Sequence, residues 1–149
     1  MSGLPRYEIR RRSERGYDVA YEVYELPSKA SPYLREPRRL GGLAGAKLSL
    51  VEHGVLRRLR RAGVRFERLS TRNGFSRSSI DEEEALRLAL LFRAVAPMRS
   101  RSRIDAVTRG IETMGREEAA YWLGMAIHRK SPRRVLRALR LLAAEEDLH

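Results

Sequence analysis

The stretch Tyr7-Glu8-Ile9-Arg10-Arg11-Arg12-Ser13-Glu14-Arg15-Gly16-Tyr17-Asp18-Val19-Ala20-Tyr21-Glu22-Val23 decides how the chain is read. Tyr7, Ile9 and Arg11 alternate with Glu8, Arg10 and Arg12. After Ser13-Glu14-Arg15-Gly16 the alternation resumes, with Tyr17, Val19, Tyr21 and Val23 on one face. Period two, β-branched and aromatic side chains and a central glycine predict a β-hairpin. Glu8, Asp18, Glu22 and Glu25 can offset arginines across the ladder. The Tyr–Val alternation suits a sheet face packed on helices, with base stacking by the tyrosines as the alternative.

Beyond the hairpin, Pro27, Pro32 and Pro37, then Gly41-Gly42 and Gly45, mark Pro27–Lys47 as an extended connector. Its run Gly41-Gly42-Leu43-Ala44-Gly45-Ala46-Lys47 lacks the spacing of a Walker phosphate loop and reads as a flexible hinge. Ser49 and Glu52 form a capping box for a helix carrying Leu50, Val51, Val55, Leu56 and Leu59, with Gly63 just past its end. Val64–Leu69 reads as a short strand, a candidate third strand beside the hairpin. Ser70–Ser78, containing Asn73-Gly74, reads as a loop.

The second half carries helical periodicity. Ser78 or Ser79 caps a helix whose first turn holds Asp81, Glu82, Glu83 and Glu84, the acids expected at the positive end of a helix. Leu86, Leu88, Leu90, Leu91, Phe92 and Val95 make it apolar nearly all round, so it should be the central buried element, ended by Pro97. Arg103–Met114 and Glu117–Arg129 follow as helices, and Ser131-Pro132 opens a last one through N-cap and N1. The expectation is an α+β fold: an N-terminal β-hairpin or three-stranded sheet, then a bundle of about five helices. One domain should span residues 1–149, with a mixed part over 1–69 and a helical part over 79–144.

Of the 31 lysine and arginine residues, 28 are arginine, and the formal net charge is +12. A GC-rich genome or a thermophilic source explains arginine in place of lysine, but not the excess of base over acid. Guanidinium suits phosphate because its planar fork donates two parallel hydrogen bonds. A phosphate-rich partner, DNA or RNA, is therefore expected. The absence of cysteine fits a reducing compartment and removes disulfides and thiolate metal ligands. With no apolar signal core near Met1 and no run long enough to span a bilayer, a cytoplasmic protein without a membrane partner is expected.

The strongest candidate site is the corner Gly124–Arg134. His128, Arg129 and Lys130 end one helix, Arg133 and Arg134 begin the next, and Arg137 and Arg140 continue one stripe. Cations at a helix start oppose the dipole unless an anion sits nearby; the acids Glu145, Glu146 and Asp147 are the alternative neutralisers. Arg57, Arg58 and Arg61, and the loop residues Arg99, Arg101 and Arg103, complete the expected nucleic-acid-binding set. Arginine without Asn, Gln, Ser or Thr partners reads backbone charge rather than sequence. The reading requires the arginine blocks to converge on one continuous face.

The run Tyr121–Arg140 (WLGMAIHRKSPRRVLRALR from Trp122) and the preceding Ala96-Pro97-Met98-Arg99 carry a resemblance. They resemble an uncharacterised prokaryotic domain family associated with anti-phage gene clusters that also encode DNA methylases and large ATPases. The resemblance covers the last third to half of the chain. It implies an accessory role around DNA or RNA, and it carries no catalytic residues over.

No catalytic, metal or cofactor constellation emerges. The histidines are His53, His128 and His149, without carboxylate or histidine neighbours at ligand spacing. Three functions follow in order: a non-catalytic nucleic-acid-binding accessory protein, an assembly subunit of a larger protein or ribonucleoprotein complex, and a metal-free ribonuclease using His128.

Overall fold

Strands β1 (Arg6–Glu14) and β2 (Asp18–Leu26) pair antiparallel over their whole length, with Ile9 opposite Val23 and Arg11 opposite Tyr21. The computed structural model describes residues 4–14, 18–65, 67–70, 75–128 and 137. The hairpin forms the middle of a five-stranded antiparallel sheet of order β3-β2-β1-β5-β4, with β3 at Arg38–Ala44, β4 at Glu67–Ser70 and β5 at Phe75–Ile80. The fold is α+β, as the alternation of the hairpin and the helical second half require. Its described helices number four rather than about five: α1 (Gly45–Arg61), α2 (Glu82–Val95), α3 (Arg101–Glu112) and α4 (Arg116–His128). The helix expected from Ser131-Pro132 lies outside the described residues, apart from Arg137, which is helical and exposed.

The period-two pattern assigns the two faces of the hairpin. Tyr7, Ile9, Tyr21 and Val23 are buried, and α2 packs over them with every apolar side chain of Leu88–Phe92 enclosed. Leu48, Val51, Val55 and Leu59 form the buried stripe of α1, and Ile104, Val107 and Ile111 that of α3. Helix α2 touches both α3 and α4 as well as the sheet, so it is the central element its sequence announced.

Several expectations are corrected. The connector Pro27–Lys47 is not extended in its first part, where residues 27–37 form turns and bends; its extended part is β3, and Gly45–Lys47 already belong to α1. That first part is pinned by buried Glu25, whose carboxylate accepts from Ser31 Oγ at 2.8 Å and pairs with Arg38 at 2.7 Å. The two central glycines serve opposite faces of β3 rather than a hinge. A Cβ on Gly41 would stand 2.7 Å from the carbonyl oxygen of Ala89 in α2, whereas one on Gly42 would meet the Arg39 guanidinium on the other face.

Helix α1 begins at Gly45, four residues before the expected capping box, and Ser49 Oγ donates to Ala46 O at 2.6 Å inside the helix. The positive φ of Gly45 turns the chain directly from strand to helix. Gly63, also at positive φ, follows the C-cap residue Ala62 as expected. The strand expected at Val64–Leu69 is β4, but it sits at the sheet edge; the strand beside β1 is β5, within what reads as loop and cap. Polar Ser76, Ser78 and Ser79 hide β5 from a pattern search. Asp81, not Ser78 or Ser79, caps α2 by accepting from the Glu84 N–H at 2.8 Å. Helix α3 starts at Arg101, so Arg101 and Arg103 occupy its first turn rather than a loop.

Candidate functional site

Helix α2, with 14 residues, is about 21 Å long, and it orients the basic residues. Its first turn meets α1 through Arg58–Glu84 at 2.9 Å and α4 through Arg116–Glu82 at 3.0 Å. Arg87 donates to the carbonyls of Glu112 and Met114 at 3.4 Å each, which places the end of α3 beside the start of α2. Helix α3 thus runs antiparallel to α2 and α4 runs parallel to it. The start of α3 and the end of α4 share one end of the molecule with the end of α2.

That geometry sorts the expected residues. Arg99, Arg101, Arg103 and His128 are exposed and lie at this shared end. Arg57 and Arg61 are exposed at the opposite end, a helix length away. Arg58 is buried with Glu84, so it is a packing element of the α1–α2 contact and not a surface cation. Arg129, Lys130, Arg133, Arg134 and Arg140 lie outside the described residues. The described arginines therefore do not share one face, but a subset gathers at one end.

The shared end is electrostatically crowded. Among the described residues, no carboxylate pairs with Arg99, Arg101 or Arg103. Helix α3 has no acid in its first turn, and Ser100 makes no side-chain cap. Helix α1 likewise starts without an acid or a side-chain cap, with Lys47 in its first turn. Cations at both helix starts stand against the positive end of a dipole, an arrangement an anion would relieve. A cleft of about 670 Å³ joins Arg12, Glu22, Arg39, Gly42 and Lys47 to Ala96, the C-cap of α2. Nearby, Arg93 donates from Nε to the carbonyl of Leu40. Burial first, and then the charge of Arg39, lower the pKa of the Arg93 guanidinium.

A second arginine group lies outside the expected binding set, although Arg10–Arg12 and Arg38–Arg39 stand out in the sequence as blocks. The sheet face turned away from α2 carries Arg6, Arg10, Arg12, Arg39 and Arg77, brought together by register: Arg10 lies opposite Glu22 and Arg77, and Tyr24 opposite Glu8 and Arg39. Glu8 pairs with Arg10 at 2.7 Å and Arg77 at 3.7 Å; Glu22 pairs with Arg12 at 2.8 Å and Arg39 at 3.0 Å. The signal was present in the even-numbered positions of β1. The shared face of Arg39 and Arg77 was hidden because their segments did not read as strands.

Among the described residues, no three His, Cys, Asp or Glu side chains stand close enough to hold a metal ion. No described helix is long and apolar enough to cross a membrane. A family model described as "Domain of unknown function (DUF7680)" matches residues 7–145. No curated protein and no solved structure matches the chain.

Proposed function

We propose that this chain, which belongs to the DUF7680 family, is a non-catalytic nucleic-acid-binding accessory protein of a prokaryote. It holds the phosphate backbone through arginine. The observation that carries this reading is the basic end. There Arg99, Arg101 and Arg103 crowd the start of α3 with no described acid to pair them, beside the cleft of Arg12, Arg39 and Lys47. Such a surface is repulsive in isolation and is neutralised by a polyanion. His128, at the same end of the fold, marks where the basic C-terminal run begins. The resemblance of Tyr121–Arg140 to a family of anti-phage gene clusters supports a place in antiviral defence within the cytoplasm.

Titrating a labelled 20-base-pair duplex at several salt concentrations tests the reading. The affinity should fall steeply with salt, and Arg99→Gln, Arg101→Gln and Arg103→Gln together should reduce the log–log slope by roughly 2 to 3. An unchanged slope removes this end from the interface. Failure to bind any nucleic acid, with a protein partner retained after nuclease treatment, would replace the reading with that of an assembly subunit.

A further inference from the structure

A cleft of about 540 Å³ opens where the last turns of α1, the start of α2 and the end of α3 meet, at the end of the fold opposite Arg99, Arg101 and Arg103. Its charges are sorted by wall. Arg57, Arg58 and Arg61 line it from α1, whereas Asp81 and Glu112 line it from α2 and α3. Among the described residues, Arg57 and Arg61 pair with no acid, and the Glu112 carboxylate pairs with no cation. The opposed charges thus stand apart across the cleft instead of closing it. The dipole of α1 favours Arg61 in its last turn, but Glu112 stands in the last turn of α3, where a helix favours cations. Its own helix therefore does not account for the charge of Glu112.

Arg58 is the fixed point of the α1 wall. It is 9% exposed, Glu84 holds its Nε at 2.9 Å, and its Nη1 has no hydrogen-bond partner among the described residues. A buried guanidinium N–H without an acceptor is unfavourable. Arg87 braces the facing wall. Its Nη1 donates to the carbonyls of Glu112 and Met114, while its Nη2 holds Glu83 at 3.0 Å and Glu84 at 3.2 Å. Glu83 and Glu84 are therefore engaged by Arg58 and Arg87, and Asp81 Oδ1 is engaged by the Glu84 N–H at 2.8 Å. Among the described residues, the groups left uncommitted are Arg57, Arg61 and Nη1 of Arg58 on one side. On the other are Glu112 and the second oxygen of Asp81.

We infer that this cleft binds a small phosphate monoester whose organic part carries hydroxyl or amino donors, the chemistry of a mononucleotide or a sugar phosphate. The phosphate sits on Arg57, Arg58 and Arg61, and the donors meet Asp81 and Glu112. Inorganic phosphate suits the arginine wall but is repelled by the carboxylates, and an uncharged nucleoside leaves the arginines without an anion. A ligand that joins an anionic end to a donor-bearing end matches both walls. The cleft also has the size of small-ligand sites. The inference does not depend on the nucleic-acid reading, because the cleft lies a helix length away from the basic end.

Isothermal titration calorimetry of the full chain with AMP, ribose 5-phosphate, inorganic phosphate and adenosine provides the test. At least one of the two esters should bind about tenfold or more tighter than inorganic phosphate and adenosine. Equal affinities for the esters assign the donors to the sugar, and tighter AMP adds the base. Arg57→Gln with Arg61→Gln, both at exposed positions, should weaken the tighter ester at least about tenfold. Glu112→Ala should weaken that ester about fivefold yet tighten inorganic phosphate, because it removes an acceptor and a repelling charge together. Damage to the fold would weaken both probes, so the opposite responses mark the site. Inorganic phosphate bound as tightly as the esters, or an Arg57 and Arg61 variant indistinguishable from the parent, overturns the inference. So does a parent that binds neither ester, or an affinity lost instead in the Arg99, Arg101 and Arg103 variant. Duplex binding at the basic end is measured separately, so the nucleic-acid reading stands if the cleft alone fails.

Discussion

Nε of Arg58 lies 2.9 Å from Oε1 of Glu84, and this buried ion pair fastens the last turns of α1 to the first turn of α2. Glu84 also receives Arg87 at 3.2 Å, so one carboxylate serves two guanidinium groups. Removing it leaves both without that partner in a poorly solvated place. Glu84→Leu should cost about 3–5 kcal/mol in urea denaturation. Arg58→Met should cost less, because Glu84 keeps Arg87. The double variant should be more stable than the sum of the single losses implies, by about 1 kcal/mol or more. Strict additivity would show that the pair contributes nothing specific.

Gly41 and Gly42 should respond differently to alanine although they are adjacent. The Gly41 Cβ would stand 2.7 Å from a backbone oxygen of α2, which can move only if the helix moves. Gly41→Ala should destabilise by about 2–3 kcal/mol. The nearest atom to a Gly42 Cβ is the end of the flexible Arg39 side chain, with Tyr21 O next at 3.0 Å. Gly42→Ala should cost about 1 kcal/mol and displace Arg39 from Glu22. Equal losses in chemical denaturation would contradict the close approach of α2 to β3.

Alkaline pH should unfold the protein through its buried phenols. Burial, and then the charges of Glu82 and Glu25, push the Tyr7 hydroxyl from 10.0 up to about 12. Burial raises Tyr21 and Tyr24 in the same direction. The folded-state pKa exceeds the unfolded value, so this contribution is fully present below pH 10 and is lost as pH rises from 10 to about 12. The Tyr7 share is on the order of 2 kcal/mol. Stability measured by denaturant should be flat in pH below 10 on this account and then fall, less steeply in Tyr7→Phe. An identical alkaline slope in Tyr7→Phe would place the titration elsewhere.

The C-terminal run makes a separate contribution in the proposed function. Replacing Arg129, Lys130, Arg133 and Arg134 with glutamine should flatten the duplex salt dependence by up to about 3.6 log units per log unit. Its effect should add to that of the Arg99, Arg101 and Arg103 variant if both contact phosphate independently. A slope unchanged by the four substitutions would exclude this run from the interface.

Much of the architecture was legible in local pattern. The alternation of Tyr7–Val23 specified the hairpin and its buried face, because a strand exposes each side at every second residue. The leucine-rich Leu86–Val95 identified the buried central helix. Strand β5 was not legible, since Ser76, Ser78 and Ser79 give no apolar alternation and the strand exists through its pairing with β1. Strand β3 was obscured by Gly41 and Gly42, which signal turns locally but here answer to neighbours on both faces.

The sequence by itself determined the excess of positive charge, the hairpin and the helical second half, because net charge and periodicity are properties of neighbours along the chain. Only the tertiary structure decided which arginines can meet a ligand. Arg57 and Arg58 are adjacent and chemically identical, yet one is exposed and the other is buried against Glu84. Arg10, Arg39 and Arg77 are far apart in the chain but share one sheet face. Charge is inherited from composition, whereas its solvation and its partners arise from contacts between distant segments, which no local pattern encodes.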